Sequence, residues 1–137
     1  MVGRSILAIV SGFVAIALLS LSADRLVHHM WPGAFDAAGR TDSVGMLTFT
    51  LAYVALFAVL GCYLAARLAP NRPMSHALVL GLLGVVFTGV GTIGAWATAP
   101  AWYHVADVAL VMPYAWVGGH LRMLQIEEPR STNPRDH

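Results

Sequence analysis

Four long runs of apolar residues constrain this chain more than any other feature of its sequence. The runs cover residues 6–27, 44–68, 76–98 and 102–121. A helix needs roughly 20 apolar residues to cross the ~30 Å hydrocarbon core of a bilayer, and every run reaches that length. The sequence therefore predicts an all-α integral membrane protein. We expect a four-helix bundle with up-down topology within residues 1–124.

The composition also indicates a membrane protein, and it excludes nucleic-acid binding. Of the 137 residues, 58% are hydrophobic and 11% are charged, and the mean hydropathy is +0.68. Soluble proteins carry about 25% charged residues. Eight arginines face seven acidic residues, so the net charge of +1 creates no basic field for nucleic acid. The single cysteine, Cys62, lies in an apolar run and is typical of a packing residue.

The distribution of arginine predicts the orientation of the spans. Basic residues near the ends of spans stay preferentially in the cytoplasm. Six arginines fall on one side of the predicted bundle: Arg4, Arg67, Arg72, Arg122, Arg130 and Arg135. Arg25 and Arg40 fall on the other side. We therefore expect both termini in the cytoplasm, with residues 125–137 as a polar cytoplasmic tail whose end is disordered.

Several polar residues lie inside or beside the apolar runs at the predicted outer leaflet. Asp24, Arg25 and His28 end the first run, and His104 and Asp107 lie near the start of the fourth. Residues three or four apart share a helix face, so each helix presents one carboxylate and one imidazole. An acid at the centre of a membrane helix costs about 2.5–3.5 kcal/mol on insertion scales, so we expect a compensating group.

Three interpretations of this cluster remain open. Arg25 could neutralise Asp24 or Asp107 in an ion-pair network, with the histidines as interfacial hydrogen-bonding groups. Asp24, His28, His104 and Asp107 could instead bind zinc or another divalent metal, although the sequence has no H-E-x-x-H motif and Arg25 would repel a cation. A polar ligand or a proton is the third candidate. We expect no cofactor.

Haem is a separate hypothesis, because the histidines fall into one pair per leaflet. His28 and His104 belong to the outer leaflet, and His76 and His120 to the inner one. However, His76 and His120 stand at the ends of their spans beside Arg72 and Arg122, where an interfacial role is more natural. We do not expect haem. In the second span, Tyr53 and Tyr63 are candidates for hydrogen bonds across helices.

Small residues recur along one face of the third span. They are Ala77, Gly81, Gly84, Thr88, Gly91 and Ala95. Such a face permits close backbone approach, which helix association in lipid depends on. The first span has a shorter stripe of the same kind, formed by Ser5, Ala8, Gly12 and Ala15. We expect these two stripes to pack together within the chain, and a homo-oligomer seam is the alternative.

The run GCYLAARLAPNRPMSHALVLGLLG, residues 61–84, carries the one family resemblance. It resembles the central hairpin of small four-helix bacterial inner-membrane proteins of unassigned function. A small-residue helix end, an arginine and proline turn, and a His-Ala start to a glycine-rich helix recur there. The resemblance covers about a sixth of the chain. It implies a bacterial inner-membrane location and a four-helix fold, and it assigns no activity to any residue.

These features predict a non-enzymatic function. We expect an accessory or interaction subunit in contact with the lipid bilayer, acting as a homo-oligomer or in a larger membrane complex, without nucleic acid. No phosphate loop, nucleophile elbow or Cys/His catalytic signature is present in the sequence. Two alternatives remain, an oligomeric transporter or channel and a membrane-embedded metal-dependent hydrolase.

Overall fold

The computed structural model describes residues 2–128, and the regular structure within this range is helical. Four long helices follow one another: α1 (Val2–Met30), α2 (Val44–Leu68), α3 (Pro73–Gly94) and α4 (Ala101–Glu127). Short 3-10 turns occupy Pro32–Ala34 and Trp96–Thr98 in two of the connections. The prediction of an all-α fold with four helices is confirmed. Residues 129–137 of the predicted polar tail lie outside the described residues.

Helix α1 extends beyond its predicted run at both ends, and the bounds of α3 and α4 also differ from the prediction. Pro73 opens α3 at a position where its missing N–H costs no hydrogen bond. The same helix ends at Gly94, and the rest of the predicted run forms the 3-10 turn. Helix α4 continues past the predicted end to Glu127, because the polar residues that follow Leu121 include strong helix formers.

Three of the four helices, α1, α2 and α3, are long and apolar enough to cross a membrane. Helix α4 is as long, but it contains His104, Asp107 and Pro113, which make it less apolar. This finding is consistent with a membrane protein. The exposed surface agrees with it, because large side chains such as Leu7, Val90 and Ile93 point outward and are 64%, 66% and 80% exposed.

The core between the helices consists mainly of small residues. Its buried cluster contains Cys62, Ala65, Ala66, Ala77, Leu80 and Ala115. Three glycines allow the closest backbone approaches: Gly12 of α1 and Gly61 of α2 against each other, and Gly118 of α4 against α2. A Cβ atom on Gly118 would lie 2.6 Å from the backbone oxygen of Val59. Small residues inside and large apolar residues outside are the arrangement expected of helices associating in lipid.

The helices do not form a ring in chain order. Helix α2 packs closely on both α1 and α4, and α3 packs on α4, whereas α1 and α4 barely touch. Successive helices are antiparallel, so α2 and α4 run parallel to each other. This arrangement corrects one expectation from the sequence, because the small-residue stripe of α3 does not pack on that of α1. Gly81 meets Ala115 of α4, and Gly12 of α1 meets Gly61 of α2.

Candidate functional site

One end of the bundle combines polar side chains with the two longer connections. The C-terminal end of α1, the N-terminal end of α2 and the N-terminal end of α4 meet there. They bring together Asp24 from α1, Tyr53 from α2, and Tyr103 and Asp107 from α4, and we call these four residues the end cluster. All four side chains are half-buried.

The contact between Asp24 and Tyr53 joins α1 to α2. The Tyr53 hydroxyl donates a hydrogen bond to the Asp24 carboxylate. The Tyr53 ring is held between neighbouring aromatic rings, with its centroid 5.5 Å from that of Phe49 and 6.0 Å from that of Phe57. At the other end of α2, the Tyr63 hydroxyl donates to Gln125 Oε1 of α4 at 2.7 Å. Both tyrosines therefore bond across helices, as the sequence predicted.

Helix α4 adds the other two members of the end cluster. Tyr103 lines the same cavity as Asp24 and Tyr53. Asp107 follows Tyr103 by one helical turn and lies on the same face of α4. Both carboxylates are half-buried at this end of the bundle. The Asp24 carboxylate, which lines the cavity, can attract a positive charge there.

A cavity of about 230 Å³ opens beside the end cluster. Its walls come from α1, α2 and α4 and include Asp24, His28, Thr50, Tyr53 and Tyr103. The two connections roof it with Phe35, Gly39, Thr41, Thr98 and Ala99. They are joined to each other by a hydrogen bond from Thr41 N to Thr98 O of 3.3 Å. The long connection between α1 and α2 thus helps to enclose a polar space.

An aspartate orders that long connection. The Asp36 Oδ1 atom accepts hydrogen bonds from the backbone N–H groups of Ala38 and Arg40, both at 2.8 Å. Gly39 supplies the positive φ of 75° that the turn requires. The bond from the Arg40 N–H to the carboxylate lowers the pKa of Asp36 below its ordinary value of 3.8. The turn is therefore stable at neutral pH, where Asp36 is ionised.

The histidines of the predicted cluster occupy two different environments. His104 is only 4% exposed and stacks on Trp96, with ring centroids 5.2 Å apart. Its Nε2 atom has no hydrogen-bond partner among the described residues. His28 is exposed and stacks on Phe35 of the long connection at 3.9 Å. His28 lines the cavity, whereas His104 lies behind Tyr103 against α3.

Arg25 does not join the end cluster. Its side chain is exposed, and within residues 2–128 it forms no ion pair with Asp24 or Asp107. The metal hypothesis also lacks a gathered set of ligands, because no three His, Cys, Asp or Glu side chains in the described range could hold one ion. The structure thus places Asp24 and His28 in the wall of one cavity, leaves His104 and Asp107 on α4 outside its lining, and leaves Arg25 exposed.

His76 and His120 have local contacts of their own. The His76 Nδ1 atom lies 3.1 Å from the backbone oxygen of Arg72, and exposed His120 stacks on Trp116 at 4.9 Å. The member of the end cluster that the sequence did not single out is Tyr103. Its position one helical turn before Asp107 was the available signal.

Comparison with known proteins gives no further guide to the site. No known protein family, no curated protein and no solved structure matches this chain.

Proposed function

We propose that this protein is a multi-pass subunit of the bacterial inner membrane, in which all four helices cross the bilayer and both termini are cytoplasmic. Its role is that of an accessory or interaction protein, acting as a homo-oligomer or within a larger membrane complex. The apolar outer surfaces of α1, α2 and α3 support the membrane location. The arginine distribution supports the orientation.

The outward face of α4 supports its crossing. The side chains that α4 exposes in its first two-thirds include Trp102, Val105, Met112 and Trp116. Its polar groups point inward instead, since His104 is buried and Asp107 half-buried. Neighbouring helices can shield such groups from lipid, so a helix with an acid and a proline can still span a bilayer in a bundle.

The small-residue stripe of α3 is the observation that carries the interaction role. The half of the stripe nearer the turn between α2 and α3 is covered within the chain, where Gly81 meets Ala115 and Gly84 meets Val111. Gly91, farther along the same stripe, is exposed, and a Cβ atom added to it would meet nothing within 4 Å. In lipid, an uncovered small-residue face favours docking of another helix. That helix would come from a second copy or from a partner subunit.

Cysteine cross-linking in membranes tests this proposal. Cys62 is first replaced by alanine, and Gly91→Cys or Leu18→Cys is then introduced, since Leu18 is 61% exposed on the outer face of α1. We expect the Gly91→Cys chain to give a discrete adduct, at twice the monomer mass for a homo-oligomer. The Leu18→Cys chain should give little adduct. Equal yields from both positions would contradict the proposed interface.

A further inference from the structure

We propose that the cavity beside the end cluster binds a small organic cation, a protonated amine, whose ammonium group lies against Asp24 and whose body contacts the surrounding aromatic rings. This inference does not depend on the proposed interaction interface, because the cavity lies inside one bundle. It concerns the interior face of α1, α2 and α4, whereas the interface concerns the exterior of α3.

The charges around the cavity favour a cationic ligand. Asp24 is the acidic side chain in the lining of the cavity, whose other ionisable side chains are His28, Tyr53 and Tyr103. Asp24 accepts a hydrogen bond from Tyr53, a neutral donor that leaves the negative charge in place. Within residues 2–128, no arginine forms an ion pair with this carboxylate. Half-buried carboxylates without a fixed counterion attract a cation from solution.

The wall of the cavity favours an organic cation over a metal ion. Divalent metals need several oxygen or nitrogen ligands around one point, and the described residues offer no such set. The cavity instead contains the rings of Phe35, Tyr53 and Tyr103. Aromatic faces attract ammonium groups through their quadrupoles, and the attraction strengthens where water is excluded. A carboxylate with three aromatic rings thus matches an alkylammonium ion.

The volume sets the size of the ligand. About 230 Å³ gives room for roughly seven heavy atoms at the ~30 Å³ that a water molecule occupies in the liquid. Thr41 and Thr98, whose backbones are joined in the roof, place this space beneath the two connections and away from the apolar middle of the bundle. A short alkylamine fits, and a lipid-sized amine does not.

Buried His104 lies beside the cavity without lining it. Its ring stacks on Trp96 and lies against Tyr103 with centroids 5.6 Å apart, and its Nε2 atom has no partner among the described residues. The proposed binding site is therefore formed without His104, and Asp24 is the acidic side chain in its lining.

Thermal unfolding of the full chain in detergent micelles tests the proposal, with propylammonium chloride as the probe. Sodium chloride at equal concentration controls for ionic strength, and 1-propanol controls for a neutral ligand of nearly the same shape. We expect propylammonium to raise the unfolding midpoint by roughly 3–6 °C at ten times its dissociation constant. Neither control should raise it. An equal response to all three solutes would overturn the proposal.

Three variants test which aspartate binds the propylammonium ion. Asp24→Asn keeps an acceptor for Tyr53 but removes the charge, so we expect at least roughly tenfold weaker binding, as for loss of a charge-assisted hydrogen bond. Asp107→Asn should weaken binding less, since Asp107 stands behind the cavity wall. Asp42→Asn, on the exposed connection outside the cavity, should bind as the original chain does. Undiminished binding by a folded Asp24→Asn chain would overturn the assignment. The comparison of propylammonium with 1-propanol on the unmodified chain decides the question even if Asp24→Asn does not fold.

Discussion

Individual polar residues in this bundle are stabilised by specific partners from other helices. Asp24 would be costly in an apolar environment, but Tyr53 of α2 donates a hydrogen bond to it. Asp36 is stabilised instead by two backbone N–H groups in an exposed turn. Aspartate thus has a hydrogen-bond partner from another helix at position 24 and partners close in sequence at position 36. The contribution of each set of hydrogen bonds can be tested.

Loss of the Tyr53 hydroxyl should destabilise the bundle. We expect Tyr53→Phe to lower the free energy of unfolding by about 1–2 kcal/mol, because a half-buried carboxylate loses its donor. Tyr63→Phe is the matched control on the same helix, since its partner Gln125 is exposed and water can replace the hydroxyl. Denaturant unfolding in mixed micelles measures both. A loss from Tyr63→Phe as large as that from Tyr53→Phe would contradict this account.

The Asp36 turn should control protease access to the long connection. Asp36→Ala removes the acceptor of two N–H groups, so we expect faster tryptic cleavage after Arg40. Asp42→Ala serves as the control, since Asp42 is exposed on the same connection. Similar cleavage rates in the two variants would show that the turn is held by other contacts.

The same turn should respond to acid in a defined direction. The pKa of Asp36 is lower in the folded chain than its ordinary value of 3.8, so the ionised form stabilises the turn. That contribution is fully present above pH 3.8 and is lost as the pH falls through the lowered folded value. We expect hydrogen exchange of the Ala38 and Arg40 amides, corrected for intrinsic rates, to show protection that is constant at neutral pH and lost only in strong acid. Loss of protection between about pH 7 and 5 would contradict the assignment.

Whole helices approach one another in this fold through glycine and alanine. Gly118 of α4 lies directly against the backbone of α2, whereas Gly89 of α3 faces open space. A small residue in a membrane helix can therefore either lie against a neighbouring helix or face open space, and only its neighbours in the folded chain distinguish the two cases. The sequence pattern that marked the α3 stripe could not separate its covered half from its uncovered half.

Alanine substitution should separate these two kinds of glycine. A Cβ atom at position 118 would lie 2.6 Å from Val59 O and 2.9 Å from Tyr63 N. Both are backbone atoms of α2, which cannot move away without shifting the helix. We expect Gly118→Ala to destabilise the chain by about 1–3 kcal/mol. Gly89→Ala should be neutral or stabilising by up to about 1 kcal/mol, because alanine is the better helix former. Thermal midpoints of the two variants check this, and equal midpoints would refute the close contact.

At the scale of the whole molecule, insertion of α4 should depend on the rest of the bundle. Its His104 is buried and its Asp107 half-buried among the neighbouring helices, and α4 alone lacks those contacts. We expect a topology reporter fused after residue 128 of the full chain to be cytoplasmic. The same reporter after α4 alone should show inefficient insertion. A periplasmic reporter on the full chain would show that α4 does not cross, and efficient insertion of α4 alone would remove the proposed dependence.

The bundle also shows which parts of the fold could be predicted from the order of residues. The bounds of α2 agree with the predicted run 44–68, and each helix falls on one apolar run. The small-residue stripe of α3 was recognised, but the helix predicted to pack on it was wrong. Both α1 and α4 have small residues, and the local sequence does not distinguish between them. Tyr53 was identified as a candidate for a hydrogen bond across helices. Tyr103 was missed, because an aromatic residue near the end of a span usually indicates the membrane–water interface.

By itself the sequence determined that this chain forms four helices; it predicted four membrane spans, and three of the helices are apolar enough to cross a membrane. Those properties depend on runs of neighbouring residues, which a helix of fixed rise converts directly into length and surface. Only the tertiary structure decided that α2 packs beside α4, that Gly81 faces Ala115, and that Asp24 lines one cavity with two tyrosines. These are contacts between distant parts of the chain, and they depend on which helix faces fit together most closely in three dimensions.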